Sequence, residues 1–221
     1  CQLSYNPILM SSIWEALATR TTDFLRHTMN KQFPLPPGCA WLNYLTCHDD
    51  VLWLFDDGDC IAVGDDPLRR RQRLTRYYTA DAGYGEARGL TFQYDEATSV
   101  ARACGTLASL CGLGIGDPLA EARMLAAYAL IMSVGGIPLI YLGDEVAVLN
   151  DYSFLDDPVK ASDGRWVQRV RVPEQQYALR HDATSAAGRI YSGLRRLVEV
   201  RRRLPALAGT ALTVLPLSAS A

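Results

Sequence analysis

The stretch AWLNYLTCHDD, residues 40–50, decides how the rest of the chain is read. Pro36-Pro37-Gly38 interrupts regular structure before it, and Ala40 to Thr46 is then a short aromatic and aliphatic run, the composition of a buried strand. The run ends in Cys47-His48-Asp49-Asp50, so a buried strand delivers an imidazole and two carboxylates to one edge of a sheet. The pattern recurs downstream. Ile137 to Leu142 reads as a second buried strand and ends in Gly143-Asp144-Glu145. A third, short strand is expected at Gln2 to Tyr5.

Helices fill the intervals. Ser12-x-x-Glu15 has the spacing of a capping box, and Ile13, Leu17, Phe24, Leu25 and Met29 recur near helical spacing, which predicts a helix over 12–30. Asp117 with Pro118 starts a largely apolar helix, Leu119 to Val134, that Gly135-Gly136 stops. Thr184 or Ser185 caps a last helix with Ile190, Leu194, Leu197, Val198 and Leu204 on one face. Arg195, Arg196 and Arg201 to Arg203 fall largely on the other face, expected to be solvated. Helix-to-strand connections are short, whereas the strand-to-helix connections, 50–116 and 143–184, are long. Elaborated connections after the strands are the habit of (β/α)8 barrels, whose sites are built at that end. Three strand and helix pairs against eight predict an α/β fold that is the last portion of such a barrel.

Composition narrows the partners. A hydrophobic fraction of 49% with 21% charged residues is that of a globular domain, and 221 residues suffice for one core. The net charge of −2 supplies no global field for nucleic acid or an anionic membrane, so a neutral ligand is expected. The longest apolar stretch, Leu125 to Leu142, is interrupted by Gly135, Gly136 and Pro138, which argues against a membrane span. Arg69 to Arg71, Arg73 and Arg76 are flanked by acidic clusters and are expected to form a solvated face. Six cysteines without a CxxC pair predict reduced thiols and a cytoplasmic location. The three histidines, 27, 48 and 181, have no i, i+4 spacing, and Asp56-Asp57-Gly58-Asp59 lacks the acidic spacing of a calcium loop. No metal or cofactor is therefore expected. A chain that begins with Cys1 and lacks a signal-like start reads as a piece of a longer protein.

His48-Asp49-Asp50 is the most informative local feature. By itself the tripeptide reads equally as a solvated acidic turn or as a site. In the second reading the carboxylate grips sugar hydroxyls and stabilises the positive charge that develops as a glycosidic bond breaks.

The wider text selects the second reading. NYLTCHDDVLW (43–53), GLTFQY (89–94), ARACGTLASL (101–110), GIPLIYLGDEVAVLNDYSF (136–154), DGRW (163–166) and AAGRIYSGLRRLVEVRRRLPAL (186–207) together resemble the amylosucrase branch of glycoside hydrolase family 13, the α-amylase family. The resemblance runs from Cys1 to about Gly209. It implies the C-terminal portion of a (β/α)8 TIM barrel with a subdomain inserted after barrel strand seven. Residues 1–50 would hold barrel strands six and seven with the intervening helix, and 51–116 the inserted subdomain. Residues 117–209 would hold the last barrel helices and strand eight, and 210–221 the start of a C-terminal β-sandwich. Asp49 matches the family's transition-state-stabilising carboxylate, and His48 a neighbour that hydrogen-bonds the same glucosyl ring. Asp50 and Arg102 match contacts to the fructosyl unit or the acceptor, and Gln93 lines the same subsite. Arg165 matches an arginine that pairs with an acidic residue from an earlier part of the chain and closes the pocket.

The implied activity is transfer of glucose from sucrose to an α-1,4-glucan acceptor with release of fructose. A sucrose hydrolase and a non-catalytic carbohydrate-binding remnant are the alternatives. The nucleophilic aspartate and acid/base glutamate of the family precede Cys1, so this piece alone is expected to be inactive, its partners including the missing N-terminal part of the barrel. Arg180-His181-Asp182-Ala183 mimics the nucleophile wording but precedes the last helix. Val51-Leu52-Trp53 stands where the branch usually has Ile-Gly-Trp, placing a large side chain near the acceptor subsite.

Overall fold

The computed structural model describes residues 2–31, 35–79, 84–209 and 212–215. Its first half runs β1 (Leu3–Tyr5), α1 (Pro7–Thr19), α2 (Asp23–Asn30), β2 (Ala40–Asn43), α3 (Asp57–Ala62), α4 (Pro67–Tyr78), β3 (Leu90–Asp95) and β4 (Val100–Cys104). Next come α5 (Leu107–Leu110), α6 (Ala120–Ser133), β5 (Ile137–Pro138), α7 (Glu174–Ala178) and α8 (Ala186–Arg203). Strands β1, β2 and β5 form a parallel sheet in that order, and β3 and β4 form a separate antiparallel pair. The fold is α/β. Residues 210, 211 and 216–221, expected to open a β-sandwich, lie outside the described residues, and 212–215 carry no regular secondary structure.

The parallel strands are held by buried Asn43. Its side-chain nitrogen donates to the Gly135 carbonyl at 2.7 Å, and its oxygen accepts from the Asn6 amide at 3.1 Å. Gly136 is required where β5 approaches β2: its φ is +97°, and a Cβ there would meet the Trp41 carbonyl oxygen at 2.5 Å. Pairing is shorter than the sequence suggests. After Leu139 N bonds Asn43 O at 2.8 Å the chain turns, so the expected strand Ile137 to Leu142 stops at Pro138 and Ala40 to Thr46 stops at Asn43.

The expected helix over 12–30 is two helices. Asn6 accepts from Leu9 N and precedes Pro7, a stronger start than the Ser12 capping box, and Arg20 at φ +60° ends α1. Ser12 lies inside α1 and donates to the Ile8 carbonyl, while Glu15 is fully buried. Asp117 accepts from Leu119 N one turn before α6 begins. Ser185 caps α8 by accepting from Gly188 N, whereas the Thr184 hydroxyl donates to Asp182.

One apolar core joins α1, α4, α6, α8 and the segment after β2. Trp14 Nε1 donates to Leu45 O at 2.9 Å, the Tyr78 hydroxyl donates to Trp14 O, and Trp53 stacks on Tyr78 at 5.3 Å. Leu52 packs against this core. Two arginine groups expected to be solvated are partly built in. Arg70 is buried against Glu15 and reaches Asp65 at 2.8 Å, because a carboxylate as buried as Glu15 needs a charged partner. Burial pushes the Glu15 carboxyl up to about 7, with Arg70 opposing. Arg201 donates to the carbonyls of Met132, Val134 and Gly136, satisfying the exposed end of α6. No described helix is long and apolar enough to cross a membrane.

Candidate active site

β2 ends at Asn43, and the next residues carry the chain across the carboxyl end of the parallel sheet to Asp50. Asp50 is buried, Asp49 half-buried and His48 exposed. The turn is locked by atoms remote in sequence. Buried Gln168 donates to the carbonyls of Cys47 and Asp49 while its own carbonyl accepts from Gly105 N at 2.6 Å. Arg169 Nε donates to His48 O at 2.8 Å, and Cys47 Sγ accepts from Asp49 N.

Each carboxylate has its own arginine. Arg165 Nη1 donates to Asp49 Oδ1 at 2.9 Å, and the Asp50 amide donates to the same oxygen at 3.1 Å. Arg165 is gripped in turn by Asp163, which receives its Nε and Nη2 at 2.8 and 3.0 Å, and its guanidinium lies over the Phe92 ring at 5.1 Å. Arg102 on β4 reaches Asp50 Oδ2 at 3.3 Å. Four elements, the β2 turn, β3, β4 and the turn at 163–165, therefore converge on one pair of acids.

The electrostatics separate the two carboxyls. The Arg165 guanidinium holds Asp49 below the usual carboxylate range, so it is a carboxylate at neutral pH. Burial pushes Asp50 up, the neighbouring Asp49 adds to the shift, and Arg102 opposes it. Asp163, beside Arg165, is also held low. A fixed carboxylate next to a carboxyl of higher affinity for protons, both edged by guanidinium donors, suits hydroxyl groups and a developing positive charge.

Gln93 is the outlier among the expected site residues. It lies exposed on β3 at φ +51°, where the register with β4 shifts between Phe92 and Asp95, and its side chain makes no hydrogen bond among the described residues. The structure thus brings Asp49, Asp50, Arg102 and Arg165 together, places exposed His48 beside them, and leaves Gln93 one residue from the ring under Arg165. Within this chain Arg165 pairs with Asp163 and Asp49. Its planar fork lies between two carboxylates and donates to both.

The fold itself has a known counterpart. The crystal structure of sucrose 6F-phosphate phosphorylase from Thermoanaerobacter thermosaccharolyticum is similar with a TM-score of 0.57 at 19% sequence identity. The match covers 90% of this chain and 36% of that chain, so these residues correspond to about a third of that enzyme. At this identity the likeness is one of fold. No protein-family model matches the chain.

Asp163, Gln168 and Arg169 are functional-site residues that the sequence did not single out. Asp163 stands in DGRW two residues before the expected Arg165, and that spacing allows the Asp163 carboxylate to meet both the backbone N–H and the guanidinium of Arg165. Gln168 gave no signal, since a buried amide that joins three backbone groups has no characteristic sequence pattern. The second acidic strand end behaves differently. Asp144 is buried and its Oδ2 accepts from the Thr46 and Tyr128 hydroxyls at 2.8 and 2.7 Å, while Glu145 Oε2 accepts from Gly143 N.

Proposed function

We propose that these residues form the sugar-binding part of a retaining, sucrose-active glucosyltransferase that extends α-1,4-glucan and releases fructose. The observation that carries this reading is the convergence of Asp49 and Asp50, each on its own arginine, at the carboxyl end of a parallel sheet. Asp49, kept ionised, would hold glucosyl hydroxyls and stabilise oxocarbenium character in the transition state. Exposed His48 would add a hydrogen bond to the same ring. Asp50 and Arg102 would hold the leaving fructose and then the acceptor. Gln93 would line that subsite, and Arg165 would close the pocket beside Asp49. A retaining mechanism also needs a nucleophile and an acid/base about 5 Å apart, which in this reading come from chain preceding these residues. No metal or cofactor is needed, because the glycosidic bond of sucrose supplies the driving force.

The structural likeness to a sucrose 6F-phosphate phosphorylase supports a sucrose-related reaction, and it favours inorganic phosphate as a second possible acceptor. The Leu52 substitution weighs less than its size suggests, since this side chain packs against the core. The test is to express the chain joined to its preceding coding sequence and incubate it with sucrose, alone, with glycogen and with phosphate. Fructose in excess of glucose, with growing glucan, supports transfer. Equal glucose and fructose under every condition replaces it with a hydrolase, phosphate-dependent glucose phosphate replaces it with a phosphorylase, and no fructose release supports a non-catalytic carbohydrate-binding role. Arg102→Ala should move products from glucan toward free glucose.

A further inference from the structure

The five arginines of α4 do not share one fate. Arg70 is buried on Glu15, and Arg71 donates to the Phe55 carbonyl and pairs with Asp57. Arg69, Arg73 and Arg76, at i, i+4 and i+7, share the remaining face and line a cleft of about 720 Å³ with Thr91, Tyr94 and Ser99 of the β3–β4 hairpin. That volume suits a small molecule, and no carboxylate lines it among the described residues. Arg73 is neutralised by Asp65 at the rim. Arg69 makes no side-chain ion pair among the described residues, and Arg76 is held over the Tyr84 ring at 4.1 Å, a contact that steadies the guanidinium without cancelling its charge. Arg69 and Arg76 stand about 10 Å apart along the helix, so both can reach a group seated between them at Arg73. Gln72 is already committed to the Thr98 carbonyl and fixes the hairpin against the helix.

Thr91 and Phe92 are successive residues of β3 and face opposite sides of the hairpin. Phe92 lies under Arg165, so this cleft opens on the face away from the Asp49 cluster. The Thr91 and Ser99 hydroxyls and the half-exposed Tyr94 ring supply polar and flat surfaces beside the cations. A polymeric polyanion is disfavoured by Asp65, which pairs with Arg73, and by the net charge of −2.

We propose that the cleft between α4 and the β3–β4 hairpin binds a phosphate dianion, free or as the monoester of a small polyol, through Arg69, Arg73 and Arg76. The site is independent of the sugar site at Asp49. Calorimetric titration of this chain with inorganic phosphate, glucose 6-phosphate and glucose tests it. Both phosphates are expected to bind with an affinity that falls as salt rises, and glucose to give no heat. The Arg69→Ala/Arg76→Ala double variant, at exposed positions, should lose at least about tenfold in affinity with an unchanged melt, and the Lys/Lys variant should retain part of it. Tyr94→Ala weakening only glucose 6-phosphate assigns the ester, and equal affinities for the two phosphates in every variant assign the free ion. Absence of binding, affinity unchanged in the double alanine variant, binding of glucose as tight as of its phosphate, or tighter binding of a single-stranded oligonucleotide would each overturn the proposal.

Discussion

Two parallel strands of this protein end in paired acidic residues, and the two ends are physically opposite. After β2, Asp49 is half-exposed and bound to Arg165, which holds it ionised. After β5, Asp144 is buried and has no cationic partner among the described residues, and burial pushes its carboxyl up to about 7 despite hydrogen bonds from the Tyr128 and Thr46 hydroxyls and the Leu107 backbone. One end leaves an ionised carboxylate half-exposed. The other knots the turn after β2 to α6 through Thr46 and Tyr128. The difference teaches that an acidic strand end is a chemical resource only where cations, and not hydroxyls alone, surround it.

The comparison breaks first on stability. Asp144→Ala removes the acceptor of two buried hydroxyls, each costing about 1–3 kcal/mol when orphaned, so chemical denaturation should show a loss of about 2–6 kcal/mol. A loss below about 1 kcal/mol would mean that Asp144 is not a structural knot. Second in size is function. On the proposed function, Asp49→Asn in the chain joined to its preceding coding sequence should lower turnover at least about a hundredfold with the fold retained, the scale of removing one preorganised electrostatic stabiliser. A change confined to KM would assign Asp49 to uniform binding.

The two acids should also give opposite pH slopes. Asp144 titrates higher folded than unfolded, so its contribution is complete below about pH 4 and is lost as pH rises through about 7. Asp49 titrates lower folded than unfolded, so its contribution is present above about pH 4 and is lost on acidification. Denaturation midpoints measured across pH should decline less steeply on the neutral side in Asp144→Asn and less steeply on the acid side in Asp49→Asn, with Glu15 and Asp163 among the groups that keep the remainder. If both variants flatten the same limb, the contrast is wrong. The smallest expected effect is Asp49→Ala on stability, within about 1 kcal/mol for so exposed a pair, and a larger loss would make Asp49 structural as well.

Much of this was legible beforehand because it rests on local chemistry. Asn43 lies in a stretch that reads as strand and Gly136 in the glycine pair that reads as a helix stop, and motif text singles out Asp49, Asp50, Arg102 and Arg165, which the fold brings together. Ser185 was readable as a cap. Ser12 misled, because Asn6-Pro7 outcompetes a capping box that lies inside the helix. Gln93, expected to line the acceptor subsite, stands exposed at a left-handed position on β3, a backbone conformation that its motif text does not foretell. Gln168 was invisible, since its partners are backbone groups of residues 47, 49 and 105.

The sequence by itself determined the order of the three parallel strands and of the helices between and after them, and the acidic ends, but not α3, α4 or the β3–β4 hairpin, because periodicity, caps and glycine breaks act over a few residues. Only the tertiary structure decided which arginine meets which carboxylate. Arg70 and Arg201 are buried linkers, Arg69 and Arg76 face an open cleft, and Arg165 spans from Asp163 to Asp49. A long charged side chain takes its role from the burial and partners that packing brings to it, and neither is written in its neighbours along the chain.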